Sequence, residues 1–121
     1  MKKIWEYTDD DMGVGILFEL YQINSDFLVI ASGGHRPHIG AVSLNEQTMA
    51  APGHKENIIT SMMAGEIQGI LQSTLDEKTM NPNICVISGI HVDNITKAQI
   101  DAVVKMCKAA AKKIADIAAK K

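Results

Sequence analysis

The stretch VGILFELYQINSDFLVIA, residues 14–31, decides the fold because it contains two strands and the turn between them. Apolar and polar residues alternate loosely from Val14 to Ile23, which is typical of a strand with one buried face. Asn24-Ser25-Asp26 is a turn signal, and the continuous apolar run Phe27–Ala31 indicates a more deeply buried second strand. The short connection predicts an antiparallel hairpin.

Strands and helices follow this hairpin. Ser32-Gly33-Gly34 ends the second strand, and the segment His38–Leu44 has the pattern of a third. Apolar residues at helical spacing from Glu56 to Leu75 predict a helix, and the β-branched run Ile84–Ile90 predicts a fourth strand. Thr96-Lys97-Ala98-Gln99 has the residues of a capping box, so a last helix begins there.

The order βββαβα predicts an α+β, two-layer domain with a mainly antiparallel sheet and two main helices. One face of that sheet is left free to pair with another subunit.

Length and composition indicate one globular domain covering residues 1–121. The apolar fraction of 46% and the charged fraction of 21% exclude wholesale disorder. A net charge of −2 argues against a nucleic-acid or membrane-surface protein. No apolar run approaches the roughly 18 residues of a membrane span, and the N-terminus lacks the apolar core of a signal peptide. We therefore expect a cytoplasmic protein with reduced thiols at Cys85 and Cys107.

The charge is distributed unevenly along the chain. Residues 97–121 carry seven lysines and two aspartates, a net charge of +5 that leaves −7 for residues 1–96. Lysines near the end of a terminal helix complement its dipole and solubilise it. The alternative is that this basic segment docks on an acidic partner.

The four histidines, His35, His38, His54 and His91, all stand at predicted element junctions close to glycine or proline. Imidazole is a common ligand for divalent metals, so these four residues are the candidate metal ligands. The spacing His35-x-x-His38 is weak support on its own, because the chain has no His-Glu-x-x-His motif or pair of closely spaced cysteines. The competing interpretation is an anion site.

The interpretation as an anion site is based on the only arginine of the chain. Eleven of the twelve basic residues are lysine, and Arg36 lies in the turn Gly-Gly-His-Arg-Pro-His of residues 33–38. Its planar guanidinium can bind a phosphate or carboxylate with paired hydrogen bonds, which lysine cannot do. Pro52-Gly53-His54-Lys55 is a second candidate, since it leads into a helix N-terminus where free amides favour phosphate.

Signals for catalysis are weak in this chain. The sequence contains no nucleophile elbow and no cysteine–histidine motif. Asp93 either orients the imidazole of His91 or begins the capping region of the last helix, and the second role is favoured. The seven methionines are interpreted as gap-filling core residues, although thioethers can also line a flat aromatic ligand.

Three motifs together resemble a known family. They are GGHRPHIGAVSL (33–44), PGHKE (52–56) and GIHVDNIT (89–96), and their order is that of the LpdD-like prenylated-flavin chaperones. These are small accessory proteins associated with UbiD-type aromatic acid decarboxylases such as gallate decarboxylase. The resemblance spans nearly the whole chain.

The resemblance implies a fold like that of proteasome assembly chaperones, a homodimer, and a protein that binds prenylated flavin mononucleotide (prenylated FMN) or FMN. It further implies protection of that flavin and its delivery to a UbiD-type decarboxylase. The residues that match the motifs, and so become the expected cofactor-binding residues, are His35, Arg36, His38, Gly40, Gly53, His54, Lys55 and His91, with Asp93 as a further match. Within this set we expect Arg36 and the turn at residues 53–55 to bind the phosphate. The histidines would then lie at the flavin edge or on a divalent metal, and Met62 and Met63 would add an apolar wall.

Two other functions remain open at the level of the sequence. One is a small metal-dependent hydrolase that uses the four histidines around a metal-bound water. The other is a structural assembly factor that docks through its free sheet face or its basic last helix. An accessory cofactor-binding protein is favoured over both, and over an enzyme in general.

Overall fold

The structure is a computed structural model that describes residues 1–52 and 57–121, and of Asn57 and Ile58 it describes the backbone only. Its elements, in chain order, are β1 (Lys2–Asp11), β2 (Val14–Ile23), β3 (Asp26–Gly34), β4 (Ala41–Leu44), β5 (Gln47–Ala50), α1 (Asn57–Glu77), β6 (Ile84–His91) and α2 (Lys97–Ala119). The strands form one sheet in the order β1-β2-β3-β6-β4-β5. Adjacent strands of the sheet pair antiparallel, except β3 and β6, which pair parallel. The predicted α+β class, with a mainly antiparallel sheet and two main helices, is confirmed.

The predicted elements are present, with two additions. The β2–β3 hairpin pairs antiparallel as expected, and both helices and the strand between them agree with the prediction to within two residues. The third strand begins at Ala41 rather than at His38, because residues 37–40 form the connection that crosses β6. The sequence pattern missed β1 and β5, which are the two edge strands of the sheet. Edge strands are short or carry many charges, so neither has a clear apolar alternation.

Both helices cover the same face of the sheet. Alternate residues of β2 and β3 are fully buried on that face, among them Phe18, Leu20 and Val29. They pack against apolar residues of α1 such as Leu71 and of α2 such as Ile114 in one continuous core. Among the helices of the described ranges, none has the length and apolar character needed to cross a membrane.

Among the described residues, no helix covers the opposite face of the sheet. Residues of this face alternate with the core residues along each strand, and most of them are only partly buried. We call this surface the open face, and its members are Leu17, Glu19, Tyr21, Leu28, Ile30, Val42, Leu44, Met49, Cys85 and Ile87.

The start of α2 is held in place by the predicted capping box. The Thr96 hydroxyl accepts a hydrogen bond from the Gln99 backbone N–H at 3.1 Å, and the Gln99 side chain accepts one from the Thr96 N–H at 3.0 Å. The Gln99 amide also donates to the Met12 carbonyl at 3.1 Å, which joins α2 to the β1–β2 turn. The first turn of α2 therefore lies beside the carboxyl ends of β3 and β6, and these strand ends form one edge of the sheet.

Candidate functional site

The parallel pairing of β3 and β6 brings two distant histidines together. Gly34, the last residue of β3, pairs with His91, the last residue of β6. The His35 N–H then donates to the His91 carbonyl at 2.6 Å, which extends the pairing by one residue. Because the carboxyl ends of parallel strands meet at one edge of a sheet, His35 and Arg36 lie beside His91. Such an edge is a common place for ligand sites in sheets with parallel strands.

Two glycines allow this close approach of the backbones. Gly34 has a φ of +74°, and a Cβ at this position would overlap the His91 carbonyl oxygen. A Cβ at Gly89 would overlap the His38 carbonyl oxygen, because residues 38–40 pass directly over this position of β6. The Gly40 N–H donates to the Ser88 carbonyl at 2.8 Å and keeps that segment on the sheet.

Four side chains meet at this edge, and we call His35, Arg36, His91 and Asp93 the His–Arg cluster. Arg36 Nη2 lies 3.0 Å from His91 Nε2, and the same imidazole nitrogen lies 2.7 Å from Asp93 Oδ1. The second carboxylate oxygen, Asp93 Oδ2, is 3.5 Å from His35 Nδ1. The backbone N–H of Asp93 also points at His35 Nδ1, at 3.3 Å. One carboxylate thus joins two imidazoles that are remote in sequence.

The hydrogen bonds at His91 Nε2 depend on its proton. A protonated Nε2 donates to Asp93, whereas an unprotonated Nε2 accepts from the Arg36 guanidinium. The hydrogen bond from His91 lowers the pKa of the Asp93 carboxyl below its ordinary value of 3.8. Desolvation of the carboxyl raises this pKa, whereas the charges of His91, His35 and Arg36 lower it further. Asp93 is therefore ionised at neutral pH and holds a set of cationic and hydrogen-bonding groups in place.

The His–Arg cluster is accessible from solvent. The His91 side chain is 17% exposed, whereas the side chains of His35 and Asp93 are 53% and 71% exposed. His91 is thus the anchored member, and Arg36 and His35 can turn toward a ligand. A guanidinium has five N–H donors, so the contact with His91 leaves Arg36 the capacity for a paired bond to an anion. The arrangement suits a phosphate or carboxylate approaching this edge of the sheet.

The remaining predicted site residues have different positions. His38 Nδ1 lies 3.2 Å from the Arg36 carbonyl, so this ring orients the loop that carries the arginine. Gly40 is buried where the chain enters β4. Gly53, His54 and Lys55 lie outside the described residues, so their expected phosphate contacts stay a prediction.

The chain on either side of that segment reaches the same edge of the sheet. The Ala51 N–H donates to the Gly40 carbonyl at 2.7 Å. The Ser88 hydroxyl, on β6, donates to the Thr60 carbonyl in the first turn of α1 at 2.6 Å. The described residues on both sides of the Pro-Gly-His-Lys motif therefore lie close to the loop that carries His38 and Gly40.

The structure gives no support to the metal interpretation. Within residues 1–52 and 57–121, no group of three histidine, cysteine, aspartate or glutamate side chains has an arrangement that could hold a metal ion. His35 and His91 are joined through Asp93, and His38 contacts the Arg36 backbone. The fourth candidate ligand, His54, is outside the described part of the chain.

Two expectations about neighbouring residues need correction. The cap of α2 is Thr96, so the favoured capping role of Asp93 is wrong, and this carboxylate instead bonds to His91. Met63 is completely buried in the core and cannot line a ligand, whereas Met62 is 49% exposed on α1.

Sequence reasoning missed two exposed apolar residues at this edge of the sheet. Ile39 is 63% exposed on the segment that crosses β6. Met12 is 53% exposed in the β1–β2 turn, which is joined to the start of α2. The position of Ile39 next to His38 was the available signal, whereas nothing in the sequence connects Met12 with this edge.

Comparisons with known proteins agree with the motifs. Residues 10–119 match the family model described as "Prenylated flavin chaperone LpdD-like domain". The chain is 35% identical over 111 residues to Protein LpdD of Lactiplantibacillus plantarum, an alignment that covers 83% of this chain and 74% of that protein.

Proposed function

The chain belongs to the prenylated flavin chaperone LpdD-like family, and from this premise we propose that it binds prenylated FMN and delivers it to a UbiD-type aromatic acid decarboxylase. The observation that carries the proposal is the His–Arg cluster, an accessible set of hydrogen-bond donors around the only arginine of the chain. Residues 1–121 act as one domain in this role, and the active form is a homodimer.

The residues at this edge suit the phosphate end of the ligand. Phosphate is recognised by charged, planar or backbone donors, and the guanidinium of Arg36 and the imidazoles of His35 and His91 supply such donors. Asp93 is the one carboxylate in the His–Arg cluster, and its hydrogen bond to His91, together with the nearby His35 ring, limits its repulsion of an incoming anion. Arg36 would bind the phosphate, with His91 and Asp93 as the groups that position it.

The same edge offers apolar contact for a flavin ring. Ile39 and Met12 are both more than half exposed, and large apolar side chains with such exposure beside a polar cluster favour a flat, partly apolar ligand. The flavin supplies the redox and decarboxylation chemistry, and the protein supplies binding, orientation and protection. We propose that this chain has an accessory rather than a catalytic part in that chemistry.

The direct test is an anaerobic titration of the protein with prenylated FMN and with FMN, followed by the flavin absorbance. We expect Arg36→Ala to weaken binding at least tenfold, and Arg36→Lys to recover only part of the loss because lysine keeps the charge without the planar fork. Lys120→Ala is the matched control, since it removes one positive charge at the far end of α2.

A second assay separates binding from delivery. The loaded protein is mixed with an apo-decarboxylase, and the recovered decarboxylase activity is compared with that obtained from free prenylated FMN at the same concentration. Faster or more complete recovery from the loaded protein supports the chaperone role. Failure of the wild type to bind either flavin, or equal binding by Arg36→Ala and Lys120→Ala, contradicts the proposal.

A further inference from the structure

The two helices differ in how they pack on the sheet. The buried positions of α2 are all apolar, the helix contains no glycine, and a capping box begins it. The core beneath α1 is partly polar. The buried polar residues of the described chain all lie in α1 or in the strands β4 and β6 that it covers, and they are Ser43, Thr60, Gln68 and Ser88. Local opening is therefore expected in α1 rather than in α2.

The buried residue with an unsatisfied polar atom is Gln68, in the middle of α1. Gln68 is 1% exposed, and its Oε1 has no hydrogen-bond partner within residues 1–52 and 57–121. Its Nε2 donates to Gln72 Oε1 at 3.0 Å, and the Gln72 amide donates in turn to Asp76 Oδ1 at 3.0 Å. These bonds use the amide nitrogen of Gln68 and leave its carbonyl oxygen without a donor. A buried acceptor in this state is unfavourable, and a bend of the helix that admits water would satisfy it.

Two glycines lie next to Gln68 on the opposite side of α1. Gly65 and Gly69 are both exposed, and a Cβ added at either would meet no neighbouring atom within 4 Å. Glycine inside a helix disfavours the helical state by about fivefold relative to alanine. No contact within the described chain requires this loss. Residues 65–69 thus combine two weak helix formers with an unsatisfied buried amide, and we call them the α1 hinge.

The two parts of α1 on either side of the hinge are anchored differently. After the hinge, Leu71 and Leu75 are completely buried in the core. Before the hinge, residues 59–64 contain one large side chain that is completely buried, Met63. A bend at the α1 hinge would therefore move the first part of the helix and leave the second part on the sheet.

The first part of α1 lies close to the edge that carries the His–Arg cluster. The Ser88 hydroxyl donates to the Thr60 carbonyl at 2.6 Å, and the Ser88 carbonyl accepts from the Gly40 N–H at 2.8 Å. Ser88 stands three residues before His91 on β6. Movement of residues 59–64 would uncover Ser88 and widen the space beside this edge of the sheet.

From these observations we propose that α1 bends at the α1 hinge, so that residues 59–64 form a gate beside the His–Arg cluster. Opening of the gate admits the flavin and later releases it, and closure retains it. Such hinged elements commonly control the entry and release of ligands. The identity of the ligand rests on the proposed function, whereas the hinge is a property of the unliganded chain.

Hydrogen exchange of the unliganded, full-length protein tests the hinge. The amides of Glu66 and Ile67 donate to carbonyls four residues earlier, so a bend at the hinge exposes them. Their protection factors should be at least about tenfold lower than those of residues 73–75 in the same helix. Equal protection in the two parts of α1 would overturn the inference.

Alanine variants stiffen the hinge without adding a clash. Gly65→Ala combined with Gly69→Ala should raise the protection factors of Glu66 and Ile67 roughly 25-fold, since each alanine contributes about fivefold. Gln68→Met removes the unsatisfied oxygen without shortening the side chain and should act in the same direction. Ser73→Ala is the matched control, because Ser73 is exposed on α1 beyond the hinge, and it should change these protection factors by less than about twofold.

Stopped-flow kinetics of flavin binding test the gate. A gate that has to open for both entry and exit slows both steps when its closed form is stabilised. In the double-alanine variant the association and dissociation rate constants should both fall at least about tenfold, while Kd stays within about twofold of the wild type. Ser73→Ala should leave both rate constants unchanged.

Two results of the kinetic experiment would overturn the gate. One is a double-alanine variant with wild-type rate constants, and the other is a changed Kd that arises from one rate constant alone, which would mean that the glycine face contacts the ligand. Failure of the wild type to bind either flavin contradicts the proposed function and the gate together, and the exchange measurement then still decides the hinge.

Discussion

Replacing Gly89 by alanine tests the packing that places the His–Arg cluster. Gly89 lies on β6, two residues before His91, and residues 38–40 pass over its Cα. An added Cβ would overlap the His38 carbonyl oxygen and lie within 3.0 Å of the Gly40 nitrogen. Both are backbone atoms, so no side-chain rotation can relieve the contact. The whole segment from Arg36 to Gly40 has to move away from the sheet.

The expected cost follows from two contributions. Forcing an extra methyl group into a well-packed site costs about 1–3 kcal/mol. The displaced segment also loses the hydrogen bond from the Gly40 N–H to the Ser88 carbonyl, worth about 0.5–1.5 kcal/mol. Alanine recovers about 0.5–1 kcal/mol relative to glycine, because it has fewer backbone conformations when unfolded. The free energy of unfolding should therefore fall by about 1–3 kcal/mol.

Gly15→Ala is the matched control for this experiment. Gly15 also lies in a strand, but a Cβ there meets no atom within 4 Å. The control should be unchanged or more stable by up to about 1 kcal/mol. Urea unfolding of both variants can be followed by the fluorescence of Trp5, the only tryptophan, which stacks on Tyr7. If Gly89→Ala unfolds at the same urea midpoint as Gly15→Ala, residues 38–40 do not lie over β6 as described.

Three further predictions follow from individual contacts. The carboxyl of Asp93 should titrate below its ordinary pKa of 3.8 in a carbon-13 NMR titration, and His91→Ala should raise that pKa toward the ordinary value. Because the folded-state pKa is the lower one, the ionised carboxylate stabilises the native protein above this range, and that contribution disappears as the pH falls through the lowered value. Thr96→Ala should cost about 1 kcal/mol of stability in urea unfolding, whereas a loss below about 0.3 kcal/mol would contradict the capping box. Lys113→Met should cost about 0.5–1 kcal/mol in the same assay, because the ammonium lies 4.0 Å from the centre of the Tyr7 ring, and a double mutant with Tyr7→Leu isolates that contact.

The elements that could be predicted from the sequence are those with a buried face. The β2–β3 hairpin has a turn signal between two apolar segments, and α2 has a capping box in front of a helical pattern. The strands β1 and β5 were not predicted, because neither has a clear apolar alternation. The sequence KKIWEYTDDD of β1 carries its charges on an edge of the sheet, and all four residues of β5 are exposed. Pairing with a neighbouring strand stabilises both, with some help in β1 from the partial burial of Ile4, Trp5 and Tyr7 against the core, and a single sequence contains no direct signal of pairing.

The sequence predicted which residue types form the candidate site, but not which of these side chains contact one another. The rarity of arginine singled out Arg36, and the glycines around it indicated a close backbone approach. The role of Asp93 was assigned wrongly, because its position between His91 and the predicted cap Thr96 is compatible with either role. Only the backbone direction after β6, which turns the carboxylate back toward His91, decides between them.

The parallel pairing of β3 with β6, the one such pair among the described strands, explains why this cluster exists at all. In a sheet built only from hairpins, successive strands end at alternate edges, and residues that follow neighbouring strands lie at opposite ends. The chain between β3 and β6 forms the β4–β5 hairpin and α1 before it returns parallel to β3, so both strands end at the same edge. Arg36 and His91 therefore meet although they lie 55 positions apart in the sequence. A crossover helix is the usual way to connect parallel strands, so α1 is also the element that makes the site possible.

A variant that loosens α1 from the sheet, such as Leu71→Ala in the core, should therefore lower stability by about 2–5 kcal/mol. Because Gly40 and Thr60, in the first turn of α1, both form hydrogen bonds with Ser88, the same variant should also weaken the binding of any ligand at this edge.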